Sequence, residues 1–471
     1  MTSKQIDGKL NADLTQKLEG QIAGVVLDKD GNLSIRGIAT LNAATQPLIV
    51  VDGYILEDYD TEEFDANNMT EEKFATLLQV SPDDIQKINV LKDAAAKAIW
   101  GSRGANGVIE ITTRRGARGK TRVNFSYRFS GSWQPEGMKM LNGDGYTMML
   151  KEAYHNPRIL SEEESSIVEI MYLDDYKAYF GNYNKNTDWV KEVTQFGQTH
   201  NYGLSVSGGG EKAQFRISGT YDHETGTIIK QSLDRLTTRL ALDYYVSDRI
   251  KFSSDFALTY TKNNKNYYSD ILGRAYNAMP NMSVYRNEYR ETADGVGEYI
   301  NTGEYFIIPP AAGDRGLISP PSGKSSYFLS DMVNNGNPVA IANQAWANTS
   351  SYTIQPQFQL EYKLLGKSDD ETQLDYRGEV FMNAFTETDE SYFPGTLTSK
   401  SWFDSGGTYL TSNYEQKNLK FTTRHQLTFH PHFANTEHQL QIMGRFEVST
   451  NNSTSQSLSS NGIVGGISDP T

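Results

Sequence analysis

From residue 120 onward, apolar and polar side chains alternate with a period of two, segment after segment. Val123, Phe125, Tyr127 and Phe129 interleave with Arg122, Asn124, Ser126 and Arg128. Phe215, Ile217 and Tyr221 interleave with Gln214, Arg216, Ser218 and Thr220. Leu240, Leu242, Tyr244 and Val246 oppose Arg239, Asp243 and Tyr245, and Phe252, Phe256, Leu258 and Tyr260 oppose Lys251, Ser253, Asp255, Thr259 and Thr261. Neighbouring side chains of an extended strand point to opposite faces, so each segment has one greasy face and one polar face. Similar segments cover 201–207, 354–364, 374–382, 419–429 and 440–448, about nine in all, each near the ~10 residues of a tilted membrane-crossing strand.

The connections between these segments are sorted. Long stretches follow the odd-numbered strands (133–198, a modest one near 223–233, 262–351 and 387–413), and short turns follow the even-numbered ones (208–211, 247–249, 366–371 and 430–437). A transmembrane β-barrel has this asymmetry of short inner turns and long outer loops, and a soluble sandwich has no reason to sort its loops by parity. The long loops are rich in Tyr, Asn, Gly and Ser, with paired prolines in 309–324. Such residues suit sugar or peptide ligands, because rings stack on apolar faces while amides bond hydroxyls or backbone; ordinary loop composition explains them equally well.

Composition bounds the alternatives. The chain has 471 residues and a net charge of −14, which argues against general nucleic-acid binding. It has no cysteine, so disulfides, thiol catalysis and Cys-based zinc sites are excluded. No run approaches the ~20 apolar residues of a membrane-spanning helix. Residues 1–20 lack the apolar core of a signal peptide.

The first 119 residues read differently, as a small α/β unit. Leu10, Leu14 and Leu18 sit at helical spacing, and 22–27 and 33–36 are short strands. Asp28, Asp30 and Asn32 mimic the start of a calcium loop, but Leu33 and Ala39 stand where Gly and Glu are required, so a hairpin turn is preferred. Residues 47–53 form a near-continuous apolar strand suited to burial. The segment 57–72 is acidic and reads as a solvated loop. In 81–116, an apolar run at Ile85, Ile88, Val90 and Leu91 precedes an Ala-rich helical stretch at 92–99, a turn carrying Gly101, Gly104 and Gly107, and a β-rich segment at 108–113. The glycines close a helix rather than open one, so a phosphate cradle is not expected. Arg114, Arg115, Arg118 and Lys120 read as a boundary turn.

Ile35-Arg36-Gly37, then Pro47-Leu48-Ile49-Val50-Val51-Asp52-Gly53, then the blocks at 84–94 and 98–116 stand in a fixed order. In this the chain resembles the plug domain of TonB-dependent outer-membrane transporters, and is most similar to the SusC/RagA family. The resemblance covers roughly the first quarter of the chain. It implies a mainly β protein: a small α/β plug domain at 1–119, then 120–471 as the N-terminal part of a large antiparallel transmembrane β-barrel, a kind that has about 22 strands around a plugged lumen. It implies location in the cell outer membrane and uptake of a bulky nutrient, an oligosaccharide or a peptide, powered through the TonB complex, with a SusD-like surface lipoprotein as lid and outer-membrane lipid around the wall. Arg36, Gly37, Asp52, Gly53, Asp93, Gly101, Arg103, Gly104 and Gly107 are carried over by motif as structural residues that keep the plug fold and its barrel contacts. About nine strands cannot close so wide a barrel, and the tail 451–471 is expected to stop inside an outer loop. The chain is therefore expected to be part of a longer reading frame and, alone, neither to insert nor to transport.

Catalysis finds no support. No Gly-x-Ser-x-Gly elbow, His-Glu-x-x-His or Walker motif occurs. The acidic pairs Asp83-Asp84, Asp174-Asp175 and Asp369-Asp370 are adjacent and point apart in extended chain, whereas a glycosidase needs two carboxylates facing one cleft. Asp83-Asp84 reads as the start of a structural element. His430-Pro431-His432 reads as a turn rather than a metal site. No cofactor and no enzymatic activity are expected. The competing readings are a surface glycan-binding β-protein without transport and a carbohydrate-active enzyme.

Overall fold

The chain lays down a small mixed sheet first and a large antiparallel sheet after it. The computed structural model describes residues 25–27, 33–35, 48–56, 80–91, 100, 104, 107–155, 180–291, 297–308, 335–366, 371–397, 409–433 and 440–461. The expected helices at 10–18 and 92–99, the turn at 28–32, the acidic stretch 57–72 and the double-proline stretch 309–324 lie outside them.

β1 (Val25–Leu27) and β2 (Leu33–Ile35) pair as an antiparallel ribbon. β3 (Leu48–Val51), β4 (Tyr54–Leu56), β5 (Ile85–Leu91) and β6 (Val108–Thr113) form a four-stranded sheet in the order β4-β3-β6-β5. β3 and β6 run parallel; the other pairs are antiparallel. Val50, Val108, Ile109, Ile111 and Ile88 are buried, which explains why β3 reads as a near-continuous apolar run. β3 and β4 are joined by Asp52 and Gly53 alone, with φ of 47° and 88°. Positive φ at both turn positions is the type I′ geometry that follows the strand twist, and Asp-Gly is a preferred sequence for it.

The second sheet has nine strands: β7 (Gly119–Ser132), β8 (Gly197–Gly209), β9 (Ala213–Thr225), β10 (Ser232–Tyr245), β11 (Ile250–Asn266), β14 (Trp346–Leu365), β15 (Gln373–Phe393), β16 (Leu410–His430) and β17 (Ile442–Ser460). All neighbours are antiparallel, and order along the chain is order in the sheet. β12 (Tyr285–Glu291) and β13 (Gly297–Tyr305) form a separate hairpin inside the long connection between β11 and β14.

The two faces of this sheet are inverted relative to a soluble protein. Phe125, Leu240 and Phe446 are 70%, 42% and 64% exposed, whereas Arg216, Ser253 and Asp255 on the other face are 7%, 4% and 3% exposed. Charged groups are almost never buried in water-soluble cores without partners; here they are buried against the small sheet, and the apolar face is left outward. Along β10 the outward band runs from Leu236 to Tyr244, about 27 Å of strand or about 20 Å along the membrane normal at ~45° tilt, near the ~25 Å apolar band of such walls. Its upper limit is a row of register-paired rings, Tyr127, Tyr202, Tyr221, Tyr260 and Tyr352, broken by Leu236.

Several strands run well past the segments that alternation marks. β14 begins at Trp346 rather than 354, β15 reaches Phe393, β16 begins at Leu410 and β17 reaches Ser460. Much of the expected loop 387–413 is therefore strand, and 451–460, expected as loop, pairs with β16. The reason is that these ends lie beyond the apolar band, where both faces are wet. Sequences such as Ser449–Ser460 are polar at every position but Leu458 and carry no periodic signal.

The long connections at that end are built around a second apolar core. They contain α1 (Gly143–His155), α2 (Phe180–Tyr183), α3 (Trp189–Val193), α4 (Ile271–Asn277) and α5 (Pro338–Gln344). Trp189, Ile271, Met279, Met282, Phe306 and Ile341 pack together there. Asn337 is 2% exposed: its side-chain oxygen accepts from Val339 and Ala340 N–H at the start of α5, and its amide donates to the Val284 and Phe306 carbonyls. One side chain thus caps the helix and ties it to two neighbouring segments. Tyr267 packs edge-on to Tyr268 and beside Phe393, and burial, with Tyr268 adding to it, pushes its phenol above the ordinary value.

Candidate functional site

The Asp52-Gly53 turn is the tip of the small sheet, and it reaches across the polar face of the large one. The Asp52 carboxylate accepts from Thr113 N–H (2.9 Å) and Thr113 Oγ1 (2.6 Å), which fixes it within its own sheet. It also accepts from Arg239 of β10. Arg239 in turn donates to Asp255 of β11 (2.8 Å). Gln357 of β14 donates to the Asp52 carbonyl (3.3 Å), and Arg424 of β16 donates to the Gly53 carbonyl (2.9 Å). A turn demanded by hairpin geometry therefore bonds three strands of the large sheet, β10, β14 and β16, and reaches β11 through Arg239.

The charges around it balance. Arg115 pairs with Asp243 (3.0 Å) and lies 3.7 Å from Asp255, while Lys251 lies 3.4 Å from Asp243 and Ser253 donates to it (2.6 Å). Asp52, Asp243 and Asp255 thus face Arg115, Arg239 and Lys251. On β15–β17, Arg424 bonds Glu379 and Glu447 (both 3.0 Å) and Arg445 bonds Glu447 (3.0 Å). Both guanidinium groups lie over the Trp100 ring, 5.8 Å and 5.3 Å from its centre, a cation–π arrangement that adds to the charge pairing. Burying charges is tolerable only with such pairing.

Asp83 and Asp84 hold the other side. They end a 3₁₀ turn, Pro82–Asp84, just before β5. Asp84, 2% exposed, accepts from Arg216 Nη2 (2.8 Å) and Nε (3.2 Å) and from Ser218 Oγ (2.6 Å), all on β9. Asp83 accepts from Arg128 and Ser126 of β7, both at 3.1 Å. A Cβ on Gly203 would lie 2.4 Å from Ser126 Oγ and 2.9 Å from Asp83 Oδ2, so the missing side chain opens the wall for this contact. Gly116 passes as close, but to backbone: a Cβ there would fall 2.4 Å from the Phe215 nitrogen. Arg114, read as part of a boundary turn, donates to the Ile85 carbonyl (3.2 Å), and Arg115 belongs to the charge cluster.

Of the residues singled out in the sequence, Asp52 and Gly53 lie at this interface. Gly104 and Gly107 are buried in the small sheet, where Gly107 has φ of 102° and its carbonyl accepts from Leu48 N–H (3.0 Å). Arg36, Gly37, Asp93, Gly101 and Arg103 lie outside the described residues. Asp84 was read with Asp83 as the start of a structural element, whereas Arg216, Arg239, Asp255 and Arg424 were given no role of their own. Their signal was present as charges on the polar side of alternating strands, but a solvated face and a buried one look alike until something is known to cover them.

Residues 1–108 match the family described as TonB-dependent Receptor Plug Domain. The chain is 31% identical over 306 residues to the TonB-dependent receptor SusC of Bacteroides thetaiotaomicron, covering 62% of this chain and 27% of that protein. It is 26% identical over 317 residues to the TonB-dependent receptor P3 of Formosa agariphila, covering 64% and 27%. Its fold is similar to that of the RagAB peptide importer in the closed-closed state, with a TM-score of 0.66 at 17% identity, covering 98% of this chain and 48% of that one. The chain spans about a quarter of the length of these curated relatives. The chain is thus similar to SusC/RagA-type TonB-dependent receptors, matching the plug family over its first 108 residues and sharing their fold in the large antiparallel sheet.

Proposed function

We propose that this chain forms the plug and the first part of the wall of an outer-membrane importer for a bulky nutrient, an oligosaccharide or a peptide. The observation that carries the reading is the inverted sheet. Its apolar face suits lipid, and its polar face is charge-paired to a small domain that stands where a pore would open. In this reading 1–119 is the stopper and 120–471 the wall, and TonB supplies the pull that shifts the stopper. Asp52, Gly53, Gly104 and Gly107, with Arg36, Gly37, Asp93, Gly101 and Arg103, keep the stopper folded and seated. A SusD-like lipoprotein would cover the outer end.

The buried ion pairs suit a seal that must open under force. They are short-ranged and geometrically exacting, so a small displacement of the plug breaks several together, whereas an apolar contact of the same area would slide. The test is uptake by cells producing the receptor from its full reading frame, with and without TonB. Uptake that persists unchanged without TonB would sink the proposal. A surface glycan-binding protein without transport is the competing reading. It predicts a product that stays soluble without detergent and migrates on gels without heat dependence.

A further inference from the structure

We infer that His200, His223 and Lys262, on the outward face of β8, β9 and β11, form a binding site for the phosphate headgroup of an outer-leaflet lipid; the inference rests on the reading of this sheet as a membrane wall and deepens it. Register places Phe129, His200, His223, Asp234 and Lys262 side by side in one row across β7 to β11. The row lies two residues beyond the tyrosines that end the apolar band, about 5 Å further along the membrane normal at ~45° tilt. That is the depth of headgroups rather than of acyl chains. From the tyrosines to the short-turn end, the outward positions of β8 to β11 carry no acid, lysine, arginine or histidine. His200, His223 and Lys262 are therefore the first basic groups beyond the greasy band on these strands.

The groups in the row are oriented by one another. The His200 and His223 rings stack with centres 6.5 Å apart, and the Tyr127 hydroxyl lies 3.0 Å from His200 Nδ1. Asp234 Oδ1 accepts from the Tyr221 hydroxyl (2.6 Å) and from His223 Nδ1 (2.7 Å). Asp234 is thus engaged by its own neighbours, and Nε2 is the His223 nitrogen left for a ligand. A phosphate monoester suits that nitrogen in either protonation state: an imidazolium donates to its oxygen, and a neutral imidazole accepts from its acid form, whose second pKa is about 6. Lys262 is exposed beside Asp234 and adds an ammonium, a point charge suited to phosphate. A zwitterionic headgroup carries its own cation beside the phosphate and gains less. On β14 to β16 the same row continues as Ser350, Thr388 and Glu415, with no basic group, so the site is confined to one arc of the wall.

The test uses receptor made from its full reading frame, reconstituted in phosphatidylcholine vesicles and checked for heat-dependent gel migration. Spin-labelled phosphatidic acid and spin-labelled phosphatidylcholine are compared for the fraction held at the protein surface. We expect a preference for phosphatidic acid of about fivefold or more, the scale of one basic group at a membrane surface. His223→Gln combined with Lys262→Gln should bring it below about twofold, while Lys262→Arg should keep it, since the charge is retained. Lys417→Gln, on the same face of β16 and paired there with Glu415, should leave it unchanged. Equal affinity for the two lipids, a preference untouched by the double substitution, or one lost equally in Lys417→Gln overturns the site. Displacement of the labelled lipid by millimolar inorganic phosphate overturns the lipid as its occupant. A receptor that does not enter the vesicles removes the wall reading itself, whereas insertion without lipid preference removes the headgroup site alone.

Discussion

Replacing Asp84 by asparagine keeps the shape of its contact with the wall and removes the charge. Arg216 then faces a neutral amide at a place where it is 7% exposed, and Asp84 supplies its ion pair among the described residues. Removing one partner of a buried pair costs about 3–5 kcal/mol, and the remaining amide oxygen returns about 1 kcal/mol as a hydrogen bond. The net loss is about 2–4 kcal/mol, or roughly a 30- to 1,000-fold rise in the open population at 1.36 kcal/mol per tenfold. Hydrogen exchange of membrane-embedded protein reads this directly, because β5 follows Asp84 in the chain and β6 pairs with β5. Protection of the β5 and β6 amides should fall by that factor while β10 and β11 keep theirs. Asp84→Leu combined with Arg216→Met, which removes both charges, should recover most of the lost protection. Unchanged exchange in Asp84→Asn, or a double substitution no better than the single one, would refute the view that this pair seats the plug.

Other substitutions probe separate links. Leu240→Arg, in the middle of the outward band, should destabilise the folded protein in lipid by about 2–4 kcal/mol, read from urea titration in vesicles; a neutral outcome would mean that this face meets water. Gly116→Ala should cost about 1–3 kcal/mol, because its Cβ meets Phe215 backbone rather than a movable side chain, and thermal melting would register it. Gly203→Ala should cost less, since Ser126 and Asp83 can turn aside, but should weaken the Asp83–Arg128 pair and raise exchange at 82–84. Asn337→Ala should cost about 2–3 kcal/mol locally and expose the 267–345 connection to protease, with the membrane strands still protected; general loss of the barrel would contradict a separate outer core.

Much of this architecture was legible because each signal is local. Period-two alternation from Val123 onward reports a two-faced sheet, and the parity of the connections reports which end is which. Asp-Gly after an apolar run also carries a local hairpin signal, since both residues tolerate positive φ, yet 47–53 reads as one strand and the structure ends that strand at Val51. Strand ends were misplaced where both faces are wet, as in 449–460, since no difference in polarity remains to be periodic.

Partnership across sequence distance was a different matter. The same arginine-bearing pattern fits a solvated strand face and a buried seal, and only the approach of the plug distinguishes them. Asp52 and Arg239 lie 187 residues apart, Gly53 and Arg424 371 apart, and no local rule links them. The sequence by itself determined that one side of the wall is greasy and the other charged, through the alternation of single side chains. The tertiary structure alone decided which charges meet, because pairing a buried carboxylate with a guanidinium depends on positions in space that chain order does not encode.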